Sequence, residues 1–131
     1  MNNFTVSERR VGNVTVLDIR GKLKGCGNSA DLHDAILRPL EEGHKQILLN
    51  LANVSHIDSS CLGELRSSRA ALNEMGGQLK LVNLTKSLLV LIAIRRLLTV
   101  FEFYATELEA LDSYEPQALN LEKHPLAPLV A

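Results

Sequence analysis

The chain lacks tryptophan altogether and carries only three phenylalanines and two tyrosines, so aromatic residues make up 4% of its 131 residues. So sparse a set leaves no stacking platform for bases or sugars, and the core must be aliphatic. Two cysteines, Cys26 and Cys61, are too few for the disulfide framework of a small secreted domain. No CxxC pair exists, and His33, His44, His56 and His124 are scattered without ligand spacing, so neither a metal nor a cofactor is expected. A formal net charge of -1 offers no basic footprint for nucleic acid and no acidic tail for a cationic partner. The longest apolar run, Leu88 to Ile94, ends at Arg95 and Arg96. It falls well short of the ~20 residues that span a bilayer, so no membrane insertion is expected. Met1 to Val6 lacks the basic and apolar regions of a signal peptide, which makes a cytoplasmic location the expectation.

What is present is a hydrophobic fraction of 46% and a charged fraction of 22%, the composition of one globular domain. Phe4 to Ser7 and Val14 to Ile19 read as strands, with Gly12-Asn13 as turn chemistry between them. Gly21 to Gly27 contains three glycines and reads as a loop. Leu32, Ala35, Ile36 and Leu40 then have helical spacing, with Gly43 closing the segment and Pro39 expected to disturb its last turn. Ile47 to Leu51 is the apolar run of a strand covered on both faces, and Ala52 to Asp58 reads as a loop. A helix over 59–75 follows, ended by Gly76-Gly77, then a strand over 78–83 and a strongly apolar helix over 86–98. Val100 to Tyr104 reads as a last strand, and Thr106 caps a final helix through Leu111. Strands alternating with helices predict an α/β domain with a mixed sheet, parallel apart from one hairpin strand. The domain is expected over 1–113, with a proline-containing tail over 114–131, flexible or docked on a partner.

One stretch carries chemistry. Asp58-Ser59-Ser60-Cys61-Leu62-Gly63 lies where strand and loop hand over to a helix, with Asp58 as the N-cap and both serines in the first turn. Free backbone N–H groups and the positive end of the helix dipole favour an anion there. A phosphate formed on such a hydroxyl meets those donors and adds about -1.5 to -2 charge to a nearly neutral surface. The same residues also serve as plain helix capping, and spacing alone does not separate the two roles. Cys61 sits where a thiol pKa is lowered, but it reads as a small apolar residue of the first turn, so no catalytic residue is expected.

Five segments together resemble the STAS family, and more specifically bacterial anti-sigma-factor antagonists. They are Gly21-Lys22-Leu23, Ile47 to Leu51, Val54 to Gly63, Gly76 to Asn83, and Val100-Phe101. The resemblance runs from about Phe4 to Leu111 and implies the STAS fold, a mixed β-sheet of about five strands flanked by about four helices. It also implies a non-enzymatic partner switch. The unmodified antagonist binds an anti-sigma factor, itself a serine kinase, and thereby releases the sigma factor. The kinase phosphorylates the first serine of the block, the complex dissociates, and a metal-dependent serine phosphatase resets it. The matching phosphoacceptor is Ser59, and the docking surface would comprise Lys24, Gly25, Asp58, Ser59, Ser60, Cys61, Gly63 and Glu64.

The chain departs from the family pattern at two of these positions. Cys61 stands where the family has glycine, which alters close approach beside Ser59, and Lys24 stands where the family has an acidic residue. In the STAS fold the loop after the second strand approaches the start of the second helix, so Cys26 and Cys61 are expected to be neighbours and a redox-sensitive pair. The helix over 86–98 is more apolar than a core-facing stripe requires. Leu89, Val90 and Ala93 are therefore expected to form an exposed patch serving self-association, a larger partner or the tail. Two further roles remain open within the same fold: a scaffold module of a larger signalling or transporter complex, and a sensor for a nucleotide or other anion.

Overall fold

Gly12 and Asn13 form the two-residue turn that joins β1 (Phe4–Val11) to β2 (Val14–Leu23) as an antiparallel hairpin, with Val11 opposite Val14. The computed structural model describes residues 4–26 and 31–114. After the hairpin come α1 (Asp31–Glu41), β3 (Gln46–Ile57), α2 (Ser59–Glu74), β4 (Gln78–Val82), α3 (Lys86–Ile94), β5 (Glu102–Tyr104) and α4 (Glu107–Ser113). The five strands lie in one sheet in chain order, and β2 to β5 are parallel. The mixed sheet and four helices expected from the sequence are thus present.

Successive crossovers of one hand that step in one direction across a sheet place their helices on one face. Alternation along the strands then sorts the side chains. Leu17, Ile19, Ile47, Leu49, Leu51 and Leu81 share one core with Leu32 and Ile36 of α1, Leu62, Leu65 and Leu72 of α2, and Leu88 and Ile92 of α3. Val14, Val16, Leu48 and Val82 point the other way and pack with Ala110 of α4 and with Tyr114. Tyr114, where the expected tail begins, is buried and donates its hydroxyl to the Ile47 carbonyl. The rest of that tail lies outside the described residues.

Several boundaries differ from expectation. β2 runs to Leu23 and β3 to Ile57, so Gly21–Leu23 and Ala52–Ile57, read as loops, are strand. Their pairing shifts register between Asp18 and Arg20 and again between Gly21 and Lys22, and such irregularities break the period-two pattern by which a strand is recognised. α1 continues through Pro39 to Glu41. α3 ends at Ile94 instead of residue 98. Arg96 takes a left-handed φ of 61°, and the amides of Arg96 and Leu97 bond back to the carbonyls of Ala93 and Ile92. That double bond is the Schellman ending, here built on arginine where glycine is usual, and it turns Leu97 into the core.

The carboxyl ends of β2 and β3 lie side by side, with Leu23 paired to Ile57. Whatever follows those two strands must therefore emerge together, and this brings the glycine loop to the start of α2.

Candidate functional site

The Asp58 amide donates to the Leu23 carbonyl at 2.9 Å, extending the β2–β3 ladder by one bond before the chain turns into α2. With extended backbone angles of -94° and 174°, Asp58 is the N-cap of α2, as its sequence position predicts. Its Oδ1 accepts the Cys61 amide at 2.9 Å and the Ser60 hydroxyl at 2.7 Å. Its Oδ2 accepts the Gly25 amide at 3.0 Å. Burial pushes the Asp58 carboxyl up, but these donors and the His56 imidazole outweigh it and hold it below the usual carboxylate range. A negative charge is therefore fixed at this point.

The two serines differ. Ser60 is half-buried and committed to Asp58. Ser59 is exposed at the first helical position, and its hydroxyl makes no hydrogen bond among the described residues. It lines a cleft of about 190 Å³ with Leu62, Gly63, Arg66, Arg95 and Leu97. The cleft joins the first two turns of α2 to the C-terminal end of α3, where Arg95 is the cap residue and suits the negative end of the dipole. Neither Arg66 nor Arg95 has an ion pair among the described residues.

Of the residues expected at the docking surface, Lys24, Gly25 and Gly63 are exposed, and Gly25 and Ser60 are bonded directly to Asp58. Glu64 sits 3.5 Å from Nδ1 of His33 on α1, half-buried, at the side of this group. Cys61 differs from expectation, because its side chain is fully buried beneath the surface and joined to Cys26 by a disulfide. It shapes the surface from below and offers no side chain to a partner. The expected proximity of the two cysteines is present, with Cα atoms 4.9 Å apart.

Arg66 and Arg95 were not singled out from the sequence. Arg66 stands seven residues after Ser59, on the same helix face, and that spacing was a usable signal. Arg95 reaches the cleft only through tertiary structure.

On α3 and just after it, Leu89, Val90 and Ala93 are exposed as expected, and Ile94 and Leu98 extend the apolar surface. Among the described residues no group of three His, Cys, Asp or Glu side chains is placed to hold a metal. No helix among them is long and apolar enough to cross a membrane.

The profile of the STAS domain matches residues 6–110. Curated protein sequences give no match. Among solved structures, the Thermotoga maritima protein TM1081 superposes with a TM-score of 0.72 at 23% identity, over 81% of this chain and 85% of that one. An anti-sigma factor antagonist from Mycobacterium paratuberculosis gives 0.72 at 20% identity, over 84% and 92%. The Bacillus anti-sigma factor antagonist SpoIIAA in its unphosphorylated form gives 0.67 at 21% identity, over 82% and 94%. At these identities the likeness speaks for the fold alone.

Proposed function

The chain belongs to the STAS domain family, and from that premise we propose that it is an anti-sigma-factor antagonist whose partner choice is set by phosphorylation of Ser59. The observation that carries the proposal is the contrast between the serines: Ser59 is exposed and uncommitted, whereas Ser60 is half-buried and held by Asp58. A kinase needs a hydroxyl that can enter its active site, and of the two only Ser59 is free to do so.

In the unmodified state the surface formed by Lys24, Gly25, Asp58, Ser59, Ser60 and Gly63 docks an anti-sigma factor that is a serine kinase. Transfer of a phosphoryl group to Ser59 places about -1.5 to -2 charge beside the ionised Asp58. An interface that was nearly neutral must then desolvate a dianion or exclude it, and the complex separates. Arg66 and Arg95 across the cleft supply counter-charge within the chain itself, so the modified domain remains folded. A metal-dependent serine phosphatase restores the hydroxyl. The released kinase rebinds its sigma factor, and transcription from the corresponding promoters falls. The chain itself performs no catalysis in this cycle and works in the cytoplasm. The exposed apolar surface around Leu89, Val90 and Ala93 fits self-association.

Incubation with the candidate kinase and ATP, followed by intact-mass measurement, tests the proposal. One added phosphate, about 80 Da, is expected on the parent chain and none on Ser59→Ala. A phosphate retained by Ser59→Ala contradicts it.

A further inference from the structure

The surface around Ser59 is built from two separate pieces of chain, the loop that carries Lys24 and Gly25 and the first turn of α2. Two ties of different chemistry hold them together. One is the Asp58 carboxylate, which accepts the Gly25 amide from the loop and the Cys61 amide from the helix. The other is the Cys26–Cys61 disulfide, which spans 35 residues and joins the same two pieces from beneath. Both sulfurs lie under the surface, with Cys26 3% exposed and Cys61 0%. Cys61 occupies the position at which the family pattern has glycine, so the covalent tie is an addition to that pattern.

We propose that the Cys26–Cys61 disulfide is a reversible latch that fixes the Ser59 surface when closed and loosens it when opened by a low-molecular-weight thiol. The inference rests on the reading of that surface as the docking face. Opening proceeds by thiol–disulfide exchange. The thiolate of one small thiol attacks Sγ of Cys26, which sits beside exposed Lys24 and Gly25. A mixed disulfide forms, the bond to Cys61 breaks, and its electron pair leaves on Sγ of Cys61. The first turn of α2 favours that departing thiolate, burial opposes it, and uptake of a proton leaves a neutral thiol in the core. A second small thiol attacks its counterpart in the mixed disulfide and releases Cys26 as a thiol. In total the protein disulfide gains two electrons and two protons, and two small thiols become one small disulfide. The reverse exchange, with that small disulfide as oxidant, closes the latch.

With the latch open, the hydrogen bonds that still tie the loop to α2 among the described residues are those of Asp58 to Gly25 and to Leu23. A docking partner must then order residues that the disulfide had already ordered, and its affinity falls.

The test uses the full chain equilibrated in buffers of graded reduced and oxidised glutathione, with free thiols trapped by alkylation and counted by mass. Both cysteines are expected to convert together, as one two-electron couple, within the range of ratios. Amide exchange at Gly25 and Cys61 is expected to be about tenfold faster in the reduced state, the effect of freeing a residue or so of backbone. Cys26→Ser is expected to show the fast exchange at every ratio, and the parent chain provides the same comparison without any substitution. A bond that stays intact in a large excess of reduced glutathione overturns the proposal, as does equal exchange in both states. Neither readout involves the kinase. A chain that passes both yet takes no phosphate on Ser59 supports the latch and overturns the phosphorylation switch. A switch that works equally with the latch open and closed overturns the latch alone.

Discussion

Gly25 donates its amide to Oδ2 of Asp58 at 3.0 Å, across 33 residues of chain, and does so from a left-handed φ of 72°. Among the described residues beyond its two chain neighbours, no atom lies within 4 Å of where a Cβ on Gly25 would stand, so the cost of a side chain there is conformational and not steric. Gly25→Ala is therefore expected to destabilise the domain by about 1–2 kcal/mol. Asp58→Ala, which removes the helix cap, is expected to cost about 1–2 kcal/mol as well. Because both changes disturb the same bond, the double variant should lose less than the sum, and urea denaturation of the four proteins measures the shortfall.

Arg9 of β1 binds two carboxylates at once, Asp18 of β2 at 2.6 Å and Glu107 of α4 at 2.6 Å. Its hydrogen bonds hold both carboxyls below their usual range. Asn50 also donates to Asp18, and Asn83 to Asn50, so the pair heads a polar row across the sheet. A carboxyl lowered in the folded state stabilises above its unfolded pKa of about 4, and that contribution is lost as pH falls through the folded value. Arg9→Met should raise the NMR titration midpoints of Asp18 and Glu107. It should also make the loss of stability below pH about 4 shallower. All three groups are partly exposed, so the cost at neutral pH is expected to be about 1 kcal/mol and to shrink in salt.

Arg96 closes α3 in the left-handed region, where a side chain costs about 1–2 kcal/mol and glycine almost nothing. Arg96→Gly is expected to raise stability by about 0.5–1 kcal/mol, once the greater freedom of glycine in the unfolded chain is subtracted. Thermal denaturation at neutral pH checks it, with an upward shift of a few degrees expected.

Val90 is 55% exposed and Ile94 70%, on a helix whose buried face needs only Leu88 and Ile92. If this surface joins two copies of the chain, sedimentation velocity will show a concentration-dependent species heavier than the monomer. Val90→Asp will then return it to monomer without loss of stability. A parent chain that sediments as monomer up to high concentration removes the self-association role.

Order and type of the elements were legible because β2, β3 and β4 carry apolar runs and each helix has a cap or a glycine at its end. Asp58, Thr85 and Thr106 all cap as their positions imply. Gly76-Gly77 ends α2 for two reasons. Gly76 takes φ 83°, and a Cβ on Gly77 would stand 2.8 Å from the Lys45 carbonyl oxygen. What was not legible has local causes. The second half of β3 exposes Asn53, Ser55 and His56 around buried Val54 and Ile57, a spacing set by the irregular pairing with β2 and not by simple alternation. The end of α3 carries no glycine to announce it, and Leu97 and Leu98 continue the apolar run past the turn. At the site, Asp58 and Ser59 could be read from the chain, whereas Arg95 comes from 36 residues further on and depends on how α3 packs.

The contrast between the two serines leads to the most direct measurement, the affinity of the partner kinase for the chain carrying phosphoserine at position 59, set beside the unmodified chain and the chain with phosphoserine at position 60. Phosphoserine at position 59 is expected to weaken binding at least tenfold, or about 1.4 kcal/mol. Equal affinity for the unmodified and Ser59-phosphorylated chains would contradict it.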